Sequence, residues 1–216
     1  MTICFVTDHD PPTFSNLSIA KKVVSAGDLS LFGASATRLK LHEMNAAEAP
    51  ERAIFAMGHG GRDALFDNFG MPALHAADVS TFEGRRIFAF ACHTSTRLGH
   101  EMAKGGVTWW GYDCAVTAPD ERASYAAVYI RLFKCVKTSF PSGVDESTVN
   151  RVLVKIQKAC LRASEQLDKL GANDDDDATS LYSCCDQVWK RLSVWLMGSC
   201  MQPITHPSAP PPYIDI

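Results

Sequence analysis

The sequence predicts an α/β fold, a mostly parallel sheet with helices on both faces. Three observations predict it. Short apolar runs at Ile3 to Val6, Ala53 to Met57 and Arg86 to Ala91 have the length and continuity of strands buried on both sides. Segments with apolar residues at helical spacing alternate with strands, the pattern of a parallel sheet. The 216 residues, 46% hydrophobic and 21% charged with a net charge of −3, supply material for one globular core.

Ile3 to Val6 opens the chain as the first strand, and Asn16 to Ala26 follows as a helix with Leu17, Ala20, Val23 and Val24 at helical intervals. Thr37 to Leu41 reads as a second strand. A polar, alanine-rich connection containing Pro50 leads into the strand Ala53 to Met57. After the strand Arg86 to Ala91, Thr96 to Lys104 reads as a helix ended by Gly105 and Gly106, and Val107 to Trp110 as another strand.

Beyond this point helical spacing dominates. Glu121 to Val136 carries Tyr125, Val128, Leu132 and Val136, and Ser147 to Leu170 carries an apolar stripe through Val152, Ile156 and Leu167 opposite Lys, Arg, Gln and Glu. A third helix is expected from Thr179 to Met197, with Leu181, Cys185, Val188, Leu192 and Trp195 inward. One domain over 1–200 follows, with a sheet core in 1–119 and a helical portion in 120–200. The Pro-rich segment 201–216 is expected to be disordered or polyproline-like.

Two of the strands end on reactive side chains: AIFAMGHGG delivers His59 and RRIFAFACHTS delivers Cys92. Ligands and chemistry collect at the carboxyl ends of parallel strands, so both groups are expected on one rim. A thiol with an ordinary pKa near ~8.5 needs a base beside it to act as a nucleophile near neutral pH, and His59 is that candidate. Gly58, Gly60 and Gly61 permit a tight turn, and the Gly60 N–H together with the Cys92 N–H forms a candidate oxyanion site. Asp8 and Asp10 follow the first strand and Asp113 a later one, making these the candidate substrate-binding carboxylates. His93, next to Cys92, is the rival base, expected to line the pocket or pack beneath the rim.

The order strand-His-Gly, spacer, strand-Ala-Cys resembles the caspase-like cysteine peptidases of clan CD, closest to their CHAT, gingipain and separase side. GGVTWWGYDCAVTAP is similar to the next strand of CHAT domains, so the likeness covers Ile3 to Pro119. Caspases proper read QAC with the histidine ~50 residues upstream, whereas this chain reads FACHT. Cys92-His93-Thr94-Ser95 is also similar to the metacaspase and paracaspase pattern, although Phe90 stands where that pattern has Asp.

The resemblance implies a caspase-like three-layer sandwich with additional C-terminal helices. It also implies an endopeptidase that forms a thioester at Cys92, with His59 protonating the leaving amine, and acidic pocket walls favouring Arg or Lys before the cut. A protein or peptide substrate and a separate regulatory protein are the partners it implies.

The charge balance points to no nucleic-acid partner. No apolar run approaches the ~20 residues that span a bilayer, and MTICFVTDHD lacks a signal-peptide pattern, so a cytoplasmic protein is expected. The eight cysteines are irregularly spaced, which suits reduced thiols, with Cys4, Cys114, Cys135 and Cys160 expected in the core. Adjacent Cys184 and Cys185 lack a matching ligand pair for zinc, and Asn173 to Asp177 lacks the register of a calcium loop. No metal or cofactor is expected. Pro210 to Tyr213 resembles a WW-domain ligand, relevant in a eukaryotic or viral setting. A catalytically silent caspase-like scaffold, a redox sensor using Cys92 and another hydrolase with the same dyad stay open as alternatives.

Overall fold

The structure is a computed structural model that describes residues 1–199 and 201–212. Its strands are β1 (Thr2–Val6), β2 (Leu29–Phe32), β3 (Ala53–Met57), β4 (Ala64–Phe66), β5 (Pro72–His75), β6 (Arg86–Phe90), β7 (Thr108–Tyr112), β8 (Leu192–Trp195) and β9 (Ile204–Thr205). The helices are α1 (Pro11–Val23), α2 (Arg38–Ala47), α3 (Leu98–Lys104), α4 (Ala126–Ser139), α5 (Glu146–Lys169) and α6 (Ala178–Lys190).

The central sheet has seven strands in the order β2-β1-β3-β6-β7-β8-β9. The first five run parallel, and β8 and β9 add to the β7 edge antiparallel. β4 and β5 form a separate hairpin.

Period-two alternation sends each strand's side chains to two different cores. Phe55, Phe88, Phe90 and Tyr112 face α1, α4 and the helices behind it, while Ile54, Ile87, Ala89 and Trp109 face α2 and α3. The first core is aromatic: Phe55 stacks on Phe88 with ring centroids 5.3 Å apart, and Phe90 meets Phe133 edge-on at 4.9 Å. The mixed α/β architecture with a mostly parallel sheet and helices on both faces is therefore present. A buried ion pair fastens the two layers, since Lys137 of α4 lies 2.6 Å from Asp28, which also accepts from the Thr2 N–H at 2.7 Å.

Several expected elements differ. Thr37 is not in a strand; its side chain accepts from the Lys40 N–H and caps α2, and the second strand is Leu29–Phe32. α1 begins at Pro11, because Asp10 and Thr13 form a capping box and proline fits a first turn that needs no N–H donor. The helix expected to reach Met197 stops at Lys190. Leu192 to Trp195 instead pairs with β7, Trp109 opposite Trp195, so the helical portion 120–200 also contributes to the sheet.

Ile204 and Thr205 in the Pro-rich segment pair with β8 and are not disordered. Cys114 and Cys135 are half-buried, not core. The Pro210 to Tyr213 stretch ends outside the described residues. Among the described residues no helix is long and apolar enough to cross a membrane.

Candidate active site

The parallel register of β3 and β6 pairs Met57 with Phe90, and the Gly58 N–H continues it to the Phe90 carbonyl at 3.2 Å. Two residues beyond each of these, His59 and Cys92 follow their strands into the loops at the sheet's carboxyl rim. Gly60 confirms how closely the two loops approach. A Cβ built there would lie 2.7 Å from the Cys92 carbonyl oxygen and 2.5 Å from Thr94 Cγ2, so only glycine fits.

The chain turns sharply just after Cys92. His93 has φ 57°, the one non-glycine positive φ among the described residues. Its backbone is held there, the N–H donating to the Cys114 carbonyl at 3.0 Å and the carbonyl accepting from Thr96 Oγ1 at 2.8 Å. A left-handed non-glycine residue held by its surroundings is local backbone strain, here placed directly after Cys92. Cys92 is half-buried, and its sulfur accepts a hydrogen bond from the Val116 N–H at 3.4 Å. That donor comes from the loop after β7, so the loops after β6 and β7 meet at the thiol.

On the other side of His59 lies Asp10. Its Oδ2 is 2.5 Å from His59 Nε2, while its Oδ1 accepts from the Thr13 N–H at 3.1 Å and from Thr13 Oγ1 at 2.7 Å. Partial desolvation acts to raise the Asp10 pKa, but the Thr13 and His59 hydrogen bonds outweigh it and hold the carboxyl down at about 2. An ionised Asp10 fixes the proton on His59 Nε2 and leaves Nδ1 as the nitrogen free to exchange a proton with a thiol.

The His59 backbone is pinned as well, its carbonyl accepting from the Phe66 N–H at 3.0 Å and the Gly61 N–H reaching the Ala64 carbonyl at 2.8 Å. This is the job of the β4–β5 hairpin. Gly60 lies between those two bonds and bridges Leu65 in the antiparallel sense that turns its own N–H outward. Among the described residues neither the Gly60 N–H nor the Cys92 N–H has an acceptor.

The three carboxylates expected to bind substrate are not gathered together. Asp10 is turned to His59. Asp113 is 4% exposed and accepts from Arg191 Nη2 at 2.9 Å. Asp8 donates its N–H to Asn68 Oδ1, and its carboxylate lies against Gly33 on the β2 side of the rim, away from Cys92. Two features were not anticipated from sequence: the Asp10–His59 pair, and His9, whose ring lies 4.9 Å from that of His59. The DHDPPT run signals a helix cap at Asp10, but no sequence signal ties it to a histidine 49 positions away.

No protein-family model and no curated protein matches the chain. Among solved structures it is similar to the complex of Porphyromonas gingivalis RgpB pro- and mature domains, at 9% identity and a TM-score of 0.46. The similarity covers 85% of this chain and 45% of that one, so the chain spans less than half the length of the protein it matches.

Proposed function

We propose that the chain is a cysteine endopeptidase in which Cys92 is the nucleophile, His59 the acid–base group and Asp10 the residue that orients it. The observation that carries the proposal is the hydrogen bond between His59 and Asp10, at the rim where the paired strands β3 and β6 lead into His59 and Cys92. A nucleophile, a base and a group orienting the base are the three parts of covalent acyl transfer.

Cys92 Sγ gives its proton to His59 Nδ1 and attacks the scissile carbonyl carbon. The oxyanion is met by the Gly60 and Cys92 N–H groups. Collapse breaks the C–N bond as His59 returns the proton to the departing amine, leaving a thioester. Water, deprotonated by His59, then attacks the thioester, releases the carboxylic acid and restores the thiol.

A groove of about 680 Å³ opens beside the Val116 loop, walled by Cys114, Ala115, Tyr182, Gln187, Lys190 and Arg191. A preference for a basic residue before the cut loses its acidic candidates, since Asp10 is engaged by His59, Asp113 by Arg191, and the Asp8 carboxylate lies against Gly33.

Site-resolved alkylation of the cysteines near neutral pH tests the dyad without a known substrate, and a peptide library then reads cleavage. Cys92 is expected to react fastest and to slow in His59→Ala, and Cys92→Ala is expected to abolish cleavage with the fold intact. Library cleavage that survives Cys92→Ala would overturn the assignment.

A further inference from the structure

His9 is exposed, and among the described residues its ring nitrogens hold no hydrogen bond. Yet one ring nitrogen of His9, a carboxylate oxygen of Asp10 and a ring nitrogen of His59 all lie within 4.8 Å of one another. Two imidazoles and a carboxylate form a donor set that suits a borderline divalent ion such as zinc. We propose that His9, Asp10 and His59 form a zinc site that holds the enzyme inactive.

The geometry is close to what the ion needs. Tetrahedral bonds of about 2.0–2.1 Å separate ligand atoms by about 3.3 Å. The 2.5 Å contact between Asp10 and His59 must open slightly, and the 4.8 Å limit of the cluster must contract. The exposed His9 supplies that movement by rotating about its side-chain bonds. Asp10 is already steadied by Thr13 and His59 by the Phe66 N–H, which is the outer support that metal ligands require.

The consequence for the reaction rests on the reading of His59 as the base. In the metal-free state His59 carries its proton on Nε2, facing Asp10, and presents the Nδ1 lone pair to the thiol. Zinc takes the Nε2 lone pair, and the proton from Nε2 passes through solvent to Nδ1. Nδ1 then has no lone pair with which to accept the Cys92 proton. The ion occupies Asp10 at the same time, so the orienting bond is lost together with the base. No electron transfer is involved, and removal of zinc restores the original tautomer.

Binding is measured by titrating zinc chloride alone into chelator-stripped protein followed calorimetrically, in a Cys92→Ser background so that the nucleophile's sulfur is not a ligand. One saturable site is expected, weakened roughly tenfold or more in His9→Asn. Absence of saturable binding, or equal affinity in His9→Asn with a circular-dichroism spectrum like that of the parent, would overturn the site. This arm is independent of peptidase activity, so it can fail or succeed whatever becomes of the dyad.

The second arm follows Cys92 alkylation in otherwise wild-type protein with and without zinc. Slowing that is reversed by a chelator and absent in His9→Asn supports the inhibitory role. Zinc binding that leaves Cys92 alkylation unchanged, or slowing that persists in His9→Asn, would overturn it.

Discussion

Replacing Asp10 by Asn separates the two jobs that this one side chain performs. Asparagine keeps Oδ1, which caps α1 by accepting from the Thr13 N–H and hydroxyl, and Asn is as good a cap as Asp. It exchanges Oδ2, the atom 2.5 Å from His59 Nε2, for an NH2 group. A donor then faces Nε2, which becomes an acceptor, and the ring proton moves to Nδ1, where it blocks transfer from Cys92.

A hydrogen bond to a charged group contributes about 1.5–3 kcal/mol, and the lower part of that range applies here because both side chains are partly in solvent. The Asp10 and His59 side chains are 33% and 39% exposed. About 1.5–2 kcal/mol corresponds to a roughly 10–30-fold slower reaction of Cys92 with iodoacetamide. The cap is expected to keep its contribution, so folding stability falls by no more than about 1.5–2 kcal/mol, the contribution of the lost charged bond. Rates are read by site-resolved mass spectrometry and stability by thermal melting. The double variant Asp10→Asn/His59→Ala is expected to react no more slowly than His59→Ala, since Asp10 acts through His59. Wild-type reactivity in Asp10→Asn, with His59→Ala slow, would refute the orienting role.

Three further perturbations probe the scaffold. Gly60→Ala forces a Cβ to 2.5 Å from Thr94 Cγ2 and 2.7 Å from the Cys92 carbonyl oxygen, and is expected to cost about 1–3 kcal/mol and slow Cys92 alkylation. In Gly61→Ala the nearest atom is 3.5 Å away, so equal melting temperatures for the two variants would contradict the close-packing account. His93→Gly relieves about 1 kcal/mol of left-handed strain at φ 57° and is expected to raise the melting temperature where His93→Ala does not. The same shift in both variants would show that the turn is unstrained.

The third concerns acid. Burial acts to raise the Asp28 pKa, but the bond from Lys137 and those from Ser25 and Thr2 lower it from 3.8 to about 2. A carboxyl lowered on folding stabilises the protein fully above its unfolded pKa, and that contribution of about 2 kcal/mol is lost as pH falls through 3.8 toward 2. Urea midpoints are therefore expected to fall more steeply between those values in wild type than in Asp28→Asn; parallel slopes would exclude the pair as an acid-sensitive contact.

What was legible in the sequence follows from which signals are local. Ala53–Met57 and Arg86–Phe90 are buried on both faces, so each shows as an uninterrupted apolar run, and the side chain at the end of each run is readable with it. Leu192 to Trp195 was not legible as a strand, because Leu192 and Trp195 are also three apart and extend the helical period of α6. The hairpin β4–β5 was missed since its strands are three and four residues long and one opens on proline. Asp10 stands on the rim that its place after β1 implies, but its partner depends on β1 lying beside β3. That adjacency is a property of the sheet order and of no segment alone.

The sheet order also explains why the site lies where it does. From β1 the chain moves one way to β2 and then returns across β1 to β3. The helices after these strands accordingly fall on opposite faces: α1 shares a core with α4, and α2 shares the other with α3. The two connections therefore diverge between β1 and β3, at the carboxyl ends where open α/β sheets bind their ligands. Asp10 and His59 join the two sides of that point, one from the loop after β1 and one from the loop after β3. Because Asp10 also caps α1, the orientation of His59 is coupled to the docking of α1 on the sheet. On the proposed reading of the site, substitutions at the α1 residues buried against that core, such as Ile19 and Ala20, are expected to change Cys92 reactivity through Asp10.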